Sequence, residues 1–286
     1  MRAILSVLCV CGPLAGQMGE APPAVHERFH SVLWVQTSVE HDALYIQAYR
    51  QAREMLDRAR KDKTWTAAVE QRSGYQKLPP AVILDIDETV LDNSPEEAEA
   101  IRRGTPYSEQ LWNDWVRLER APALPGALEF TRYAASRHVE VLYVTNRNVA
   151  VKEATRRALA RAGFPLHEGV ETLFCAGEKP GDTEKSARRE ALAARYRILL
   201  LIGDDLGDFM PGVRVPPEER RRLAATYAAR WGERWIVLPN PMYGSWEDTL
   251  FGFDRGVSTP EKIRRKREYL RPMSQAAGAA SGAGQP

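Results

Sequence analysis

Two aspartates one residue apart, Asp85 and Asp87, directly follow the apolar run Ala81-Val82-Ile83-Leu84. One carboxylate can attack phosphorus and form an aspartyl phosphate, and a neighbour can move protons. Together they can hold a divalent cation. Three groups of matching chemistry follow: Thr145-Asn146-Arg147, then Lys185, then Gly203-Asp204-Asp205-Leu206-Gly207-Asp208. A threonine hydroxyl and a lysine ammonium suit phosphoryl oxygens. Clustered carboxylates repel one another unless a cation sits among them. An all-oxygen ligand set beside a phosphate points to Mg²⁺. Each element alone is weak: a lone D-x-D is commonly an acidic turn, a lone lysine a solvated helix residue, a lone threonine a strand-end cap. Their order along the chain raises the reading well above chance.

Such groups must be positioned by strands. The unbroken apolar run 81–84 leading into Asp85 reads as a strand over residues 81–85, buried on both faces. Further strands are expected over residues 139–144, 172–176, 198–202 and 235–238. Helices are expected over 126–137, 151–162, 184–196 and 218–231. This alternation predicts an α/β fold, a Rossmann-like parallel sheet of about five strands flanked by helices. In such sheets ligands bind beyond the carboxyl ends of the strands. The ends of the first, second and fourth strands would then gather Asp85, Asp87, Thr145, Asp204 and Asp208 along one edge, with Lys185 opening a helix between them.

The remaining segments frame this core. Residues 1–16 carry Arg2 and an apolar stretch ending in Leu14-Ala15-Gly16, the pattern of an export signal. That stretch is too short to span a membrane. Residues 17–78 comprise a linker with Pro22 and Pro23, a helical pattern over 28–60, and a polar stretch to Pro79-Pro80. Trp34, Tyr45 and Tyr49 are expected to pack rather than bind ligand. The α/β core is placed at residues 79–272, with a cap insertion near 94–124 that contains Trp112 and Trp115. Residues 273–286, rich in Gly, Ala and Ser, are expected to be disordered.

Of the 286 residues, 44% are hydrophobic and 27% charged, enough for a sizeable core. The net charge of +2 is too small for a nucleic-acid footprint. The basic run Ile263-Arg264-Arg265-Lys266-Arg267-Glu268 reads as a solvated helix face. Of three cysteines, Cys9 and Cys11 fall in the signal and Cys175 ends an apolar run, where a buried structural thiol is expected.

Asp85-Ile86-Asp87-Glu88-Thr89 followed by Val144-Thr145-Asn146-Arg147, Lys185-Ser186-Ala187-Arg188 and Gly203-Asp204-Asp205-Leu206-Gly207-Asp208 resembles the haloacid dehalogenase-like phosphohydrolases. The longer stretch from Asp85 to Pro95 resembles the class C acid phosphatases, the bacterial outer-membrane lipoprotein 5′-nucleotidase family. The likeness extends to Leu33-Trp34-Val35-Gln36-Thr37-Ser38, Gln47-Ala48-Tyr49, Leu124-Pro125-Gly126-Ala127, and the run from Leu238 to Glu247.

The resemblance implies that Asp85 is the nucleophile. Asp87 is implied as general acid/base, with its backbone carbonyl a metal ligand. Thr145 would bind phosphate, Lys185 would steady the nucleophile and the phosphoryl group, and Asp204 would ligate the metal. Asp208 would orient a metal-bound water or the lysine. Trp112 or Trp115, with Tyr243 and Trp246, resemble the aromatic residues around a nucleobase in this family, the alternative being core or cap packing, and Asn146 is a further candidate substrate contact. Two positions depart from the family pattern. Asp205 stands where Asn is common, and would either strengthen the metal site or face solvent. Gly207 stands where Asp is common. A lipoprotein signal would place cysteine after Leu14-Ala15-Gly16, but Gln17 stands there. An exported periplasmic or secreted form is therefore expected, with membrane association only through lipidation elsewhere.

The function expected from these residues is a Mg²⁺-dependent phosphomonoesterase acting on a small phosphorylated substrate, 5′-nucleoside monophosphates foremost. The alternatives are a phosphatase for other esters and a non-catalytic binding or storage protein on the same scaffold. The amphipathic N-terminal segment could pack on its own domain or on a partner subunit, which leaves a homodimer open.

Overall fold

A computed structural model describes residues 26–179, 184–254 and 256–272. The expected signal, the linker at 17–24 and the tail from 273 lie outside the described residues. Among the described residues the chain runs α1 (Phe29–Thr37), α2 (Val39–Lys61), β1 (Pro80–Leu84), α3 (Ser94–Arg103), α4 (Glu109–Leu118), α5 (Ala127–Ser136) and β2 (Glu140–Asn148). It continues through α6 (Lys152–Ala162), β3 (Leu173–Ala176), α7 (Lys185–Ala193), β4 (Arg197–Gly203), α8 (Pro217–Thr226), β5 (Trp235–Val237), α9 (Ser245–Asp248) and α10 (Thr259–Glu268). No described helix is long and apolar enough to cross a membrane.

The five strands form one parallel sheet in the order β3-β2-β1-β4-β5. Alternation of side chains assigns its two faces. Val82, Leu84, Val141, Tyr143, Leu200 and Ile202 pack on one face with α2, α5 and α6. Ala81, Ile83, Leu142, Val144 and Leu201 pack on the other with α7 and with Phe209 and Trp235. Strand order reverses between β1 and β4, so the crevice beyond their carboxyl ends is the switch point where ligands enter such sheets.

The expected helix over 28–60 is two helices. Ser38 takes an extended conformation and its hydroxyl accepts from the His41 amide at 3.1 Å, which caps α2 and ends α1. Tyr45, Tyr49, Ala52, Met55, Leu56 and Ala59 then form the buried stripe of α2. They join the same core as β1 and β4, so this segment is packed into the sheet.

The stretch 61–78 is less uniformly polar than its composition suggests. Trp65, Ala67 and Ala68 are buried. The Trp65 indole donates to the Leu199 carbonyl at 2.8 Å, where a register shift bends β4 against β1. β2 runs four residues beyond its expected end, because Asn148 still pairs with Ala176 of β3 after an irregularity. The helix expected over 218–231 stops at Thr226, followed by a short 3₁₀ turn over Ala228–Arg230. Cys175 is fully buried, and burial pushes its thiol up to about 12.

Candidate active site

Asp85 sits one residue past β1, and its amide still donates to the Ile202 carbonyl of β4 at 3.0 Å. The chain then makes a tight turn in which the Ile86 carbonyl accepts from the amides of Val90 and Leu91, both at 2.9 Å. Glu88 takes the left-handed conformation at φ 52°, and its buried carboxylate accepts from the Asn93 amide at 2.7 Å. Two tyrosines one turn apart on α2 brace this turn. The Tyr45 hydroxyl donates to the Glu88 carbonyl at 2.5 Å and the Tyr49 hydroxyl to the Thr89 carbonyl at 2.7 Å.

Insertion 94–124 leaves and returns at one point. Leu91 pairs with Ala123, and the Asp92 amide donates to the Pro122 carbonyl at 2.9 Å. Between these ends stand α3 and α4.

At the sheet edge the carboxylates of Asp85, Asp204 and Asp208 each offer an oxygen within 4.8 Å of the others. Lys185, the first residue of α7, reaches into them, its Nζ 2.5 Å from Asp85 Oδ1 and 2.5 Å from Asp208 Oδ1. The Asp208 contact is a hydrogen bond. Asp85 Oδ1 pairs with the same ammonium.

Burial raises the Asp85 carboxyl above its usual range. Lys185 opposes this, while Asp208 and Asp87 add to it. Burial likewise raises Asp204, followed by repulsion from Asp85 and Asp208. For Lys185 burial disfavours the cation, but Asp208 and then Asp85 outweigh it and raise the lysine. When the three carboxylates are ionised, one ammonium leaves two negative charges uncompensated. A divalent cation fits that charge and that all-oxygen donor set.

The remaining groups are built around this cluster. Asp208 Oδ2 accepts from the Asp205 amide at 3.0 Å, in a reciprocal cap at the end of β4. Gly203 makes room for it: a Cβ there would lie 2.1 Å from Asp208 Oδ2. Asp204 Oδ2 accepts from Asn240 Nδ2 at 2.9 Å, and Oδ1 from the Thr89 hydroxyl at 3.3 Å. Asp205 neither joins the cluster nor faces solvent freely. Its carboxylate accepts from the Gly207 amide at 2.8 Å and from the Ser245 amide and hydroxyl at 2.7 Å, which ties the loop after β5 to the loop after β4.

Thr145 is fully buried, its hydroxyl 3.4 Å from Asp87 Oδ2. The Asp87 side chain turns to Arg147, which bonds it at 2.7 Å. Asp87 is thus outside the group of three, where Asp208 stands instead. Asn146 points to the opposite side of β2 and accepts from Arg188 Nη2 at 2.8 Å. Trp115 donates to Asn93 Oδ1 at 2.9 Å, and the Trp112 ring lies 5.9 Å from the Arg147 guanidinium. Both indoles pack with Val116, Val151 and Ala154. On the other flank Asn240 Oδ1 accepts from the Met242 amide at 2.9 Å. Tyr243 packs with Val32, Val35 and Met242. Trp246 is 43% exposed, and its indole donates to the Tyr243 carbonyl.

Arg147, Asn93, Asn240, Arg188 and the two tyrosines of α2 were not assigned from the sequence. For Arg147 a signal existed: it lies two residues from Thr145 on one strand, hence on the same side. The others meet the site only through chain folding.

Comparison with known proteins follows this geometry. The chain matches the family model described as HAD superfamily, subfamily IIIB (acid phosphatase) over residues 19–246. It is similar to the class C acid phosphatase from Bacillus anthracis, at 32% identity and a TM-score of 0.74 over 86% of this chain and 97% of that one. The TM-score is 0.76 for that protein with tungstate bound. Among curated proteins it is 30% identical over 164 residues to a stem 31 kDa glycoprotein of Glycine max, covering 56% of this chain and 58% of that protein. It is 26% identical over 165 residues to acid phosphatase 1 of Solanum lycopersicum, covering 56% and 57%. The chain spans somewhat more than half the length of these curated relatives. A family match across most of the chain, together with the sheet order and the clustered aspartates, places this protein in the HAD superfamily, subfamily IIIB (acid phosphatase).

Proposed function

We propose that this protein is a Mg²⁺-dependent acid phosphatase that hydrolyses phosphate monoesters, 5′-nucleoside monophosphates among them, through an aspartyl phosphate on Asp85. The observation that carries this reading is the convergence of Asp85, Asp204, Asp208 and Lys185 at the carboxyl ends of β1 and β4. Asp85, Asp204 and Asp208 would hold the ion, with the Asp87 carbonyl as a further ligand. The bound cation supplies charge neutralisation for a phosphoryl group entering an acidic site.

The chain's own residues supply the rest. Asp85 attacks in line, held at the strand end by its backbone bond to β4. Lys185 bridges Asp85 and Asp208 and can neutralise phosphoryl oxygens as charge builds on them. Thr145 offers a hydroxyl beside Asp87. Asp87 protonates the leaving oxygen, then takes a proton from the water that attacks the aspartyl phosphate. Tungstate on the Bacillus anthracis relative, a tetrahedral oxyanion shaped like phosphate, accords with this use of the site.

Tyr243 and Trp246 on one flank, Trp112 and Trp115 on the other, support a base-stacking role that tolerates any base. An exported location rests on the pattern of residues 1–16. A panel of nucleoside monophosphates, sugar phosphates and aryl phosphates, assayed with Mg²⁺ and with chelator, tests the reading. Turnover that survives exhaustive chelation contradicts it, and so does the absence of turnover on every monoester.

A further inference from the structure

Asp87 is held by side chains that the reaction outlined above does not use. Arg147 donates from Nε and Nη2 to Asp87 Oδ1, at 2.9 and 2.7 Å. Asn93 Nδ2 adds a third donor to the same oxygen at 2.9 Å. The other oxygen, Oδ2, has longer contacts: 3.3 Å to Arg147 Nε and 3.4 Å to the Thr145 hydroxyl. The donors are themselves fixed. Arg147 Nη1 donates to the Thr155 hydroxyl on α6 at 3.2 Å. Asn93 Oδ1 accepts from the Trp115 indole on α4 at 2.9 Å and from Arg147 Nη2 at 3.4 Å. The Arg147 side chain is 1% exposed and that of Asp87 16%. A planar guanidinium with every nitrogen engaged cannot follow a rotating carboxylate as a flexible ammonium could.

We propose that Arg147, with Asn93, is a positioning residue that pins Oδ1 of Asp87 and leaves Oδ2 as the oxygen that carries the proton, fitting the enzyme to phosphate esters of poorly departing alkoxides. This rests on the reading of Asp87 as the general acid/base. In the first half-reaction a bond forms between Asp85 and phosphorus while the bond from phosphorus to the ester oxygen breaks. The electron pair stays on that oxygen, and the proton on Asp87 Oδ2 moves to it. An aryloxide such as p-nitrophenolate departs without that proton, whereas an alkoxide does not. Misplacing Oδ2 therefore harms alkyl phosphates more than activated aryl phosphates. A role confined to folding would harm both alike.

The test measures kcat/KM, which reports the step that expels the leaving group, across alkyl and aryl phosphates of graded leaving-group pKa. Inhibition by inorganic phosphate checks that the site is assembled. Asp87→Asn is expected to lose about 10²–10⁴-fold on alkyl phosphates, the usual range for general acid catalysis, and far less on p-nitrophenyl phosphate. Arg147→Lys keeps the charge but not the fork, and should show the same selective loss, smaller in size. Where Arg147→Lys does not fold, Thr155→Val removes the hydroxyl that fixes Arg147 Nη1 with little change of shape, and should shift the alkyl-to-aryl ratio in the same direction. A selective Asp87→Asn beside variants that lower both ester classes equally, or neither, overturns the positioning role and leaves Asp87 as the acid. An unselective Asp87→Asn removes the reading of Asp87 itself, and the proposal with it.

Discussion

Asp85 and Gly203 show how closely the site depends on single atoms. Asp85→Asn preserves shape but removes the attacking anionic oxygen. It is expected to lower kcat by roughly 10⁴-fold or more while the circular dichroism spectrum stays native. Near-wild-type turnover of the purified variant would exclude the covalent route. Gly203→Ala adds one methyl where a Cβ would lie 2.1 Å from Asp208 Oδ2. Asp208 must then move away from Lys185, so the variant should lose most of its activity; unchanged kcat would show that the loop yields at no cost. Tyr243→Ala addresses substrate choice. Base stacking contributes roughly 1–3 kcal/mol, so KM for nucleotides should rise by about one to two powers of ten while a small ringless ester is little affected. Equal effects on both would assign Tyr243 to packing with Val32, Val35 and Met242. At this scale the approach of Asp85, Lys185, Asp204 and Asp208 to one another was legible, because their order along the chain set them at the ends of alternating strands and the start of a helix. The side of β2 that carries Arg147 could be read from its spacing to Thr145, but its partner could not, nor that of Asn240, because each depends on which carboxylate the side chain faces.

Among the elements, α2 carries the least expected role. Its pattern predicted packing for Tyr45 and Tyr49, and both are buried in the core. Their hydroxyls add something that periodicity does not show: bonds to the Glu88 and Thr89 carbonyls, which fix the turn carrying Asp87. Tyr45→Phe and Tyr49→Phe should each cost about 0.5–1.5 kcal/mol in urea unfolding, since a buried carbonyl loses its donor. The pair of changes should also lower kcat. Loss of stability with kcat unchanged would confine α2 to packing. The parallel sheet was readable from apolar runs alternating with amphipathic helices, because fully buried strands leave an unbroken apolar signature. Boundaries were less readable. The break at Ser38 is set by a cap that the apolar stripe passes over, and the extra length of β2 comes from pairing with β3. The strand order, and hence the switch point between β1 and β4, is a tertiary property that no local pattern specifies.

For the molecule as a whole, site and stability are linked through charge. Burial raises the Asp85 carboxyl above its value in the unfolded chain, so between the two values the folded protein without metal holds a proton that the unfolded chain releases. That stability is present below the unfolded value and is lost as pH rises through the raised folded value. In chelator, therefore, wild type should lose stability relative to Asp85→Asn as pH rises through this window; a constant difference would show that Asp85 does not titrate there. Mg²⁺ binds the ionised cluster and should reverse the trend, adding about 2.7 kcal/mol at a hundred times its Kd. The central claim is that phosphate passes through Asp85, and it is tested most directly by quenching the enzyme in acid during turnover and locating the phosphoryl group by peptide mass spectrometry. The account predicts a phosphorylated peptide containing Asp85 when Mg²⁺ and a phosphate ester are both present, and none in Asp85→Asn. Steady turnover with the phosphoryl group on another residue, or an equal signal in Asp85→Asn, would contradict it.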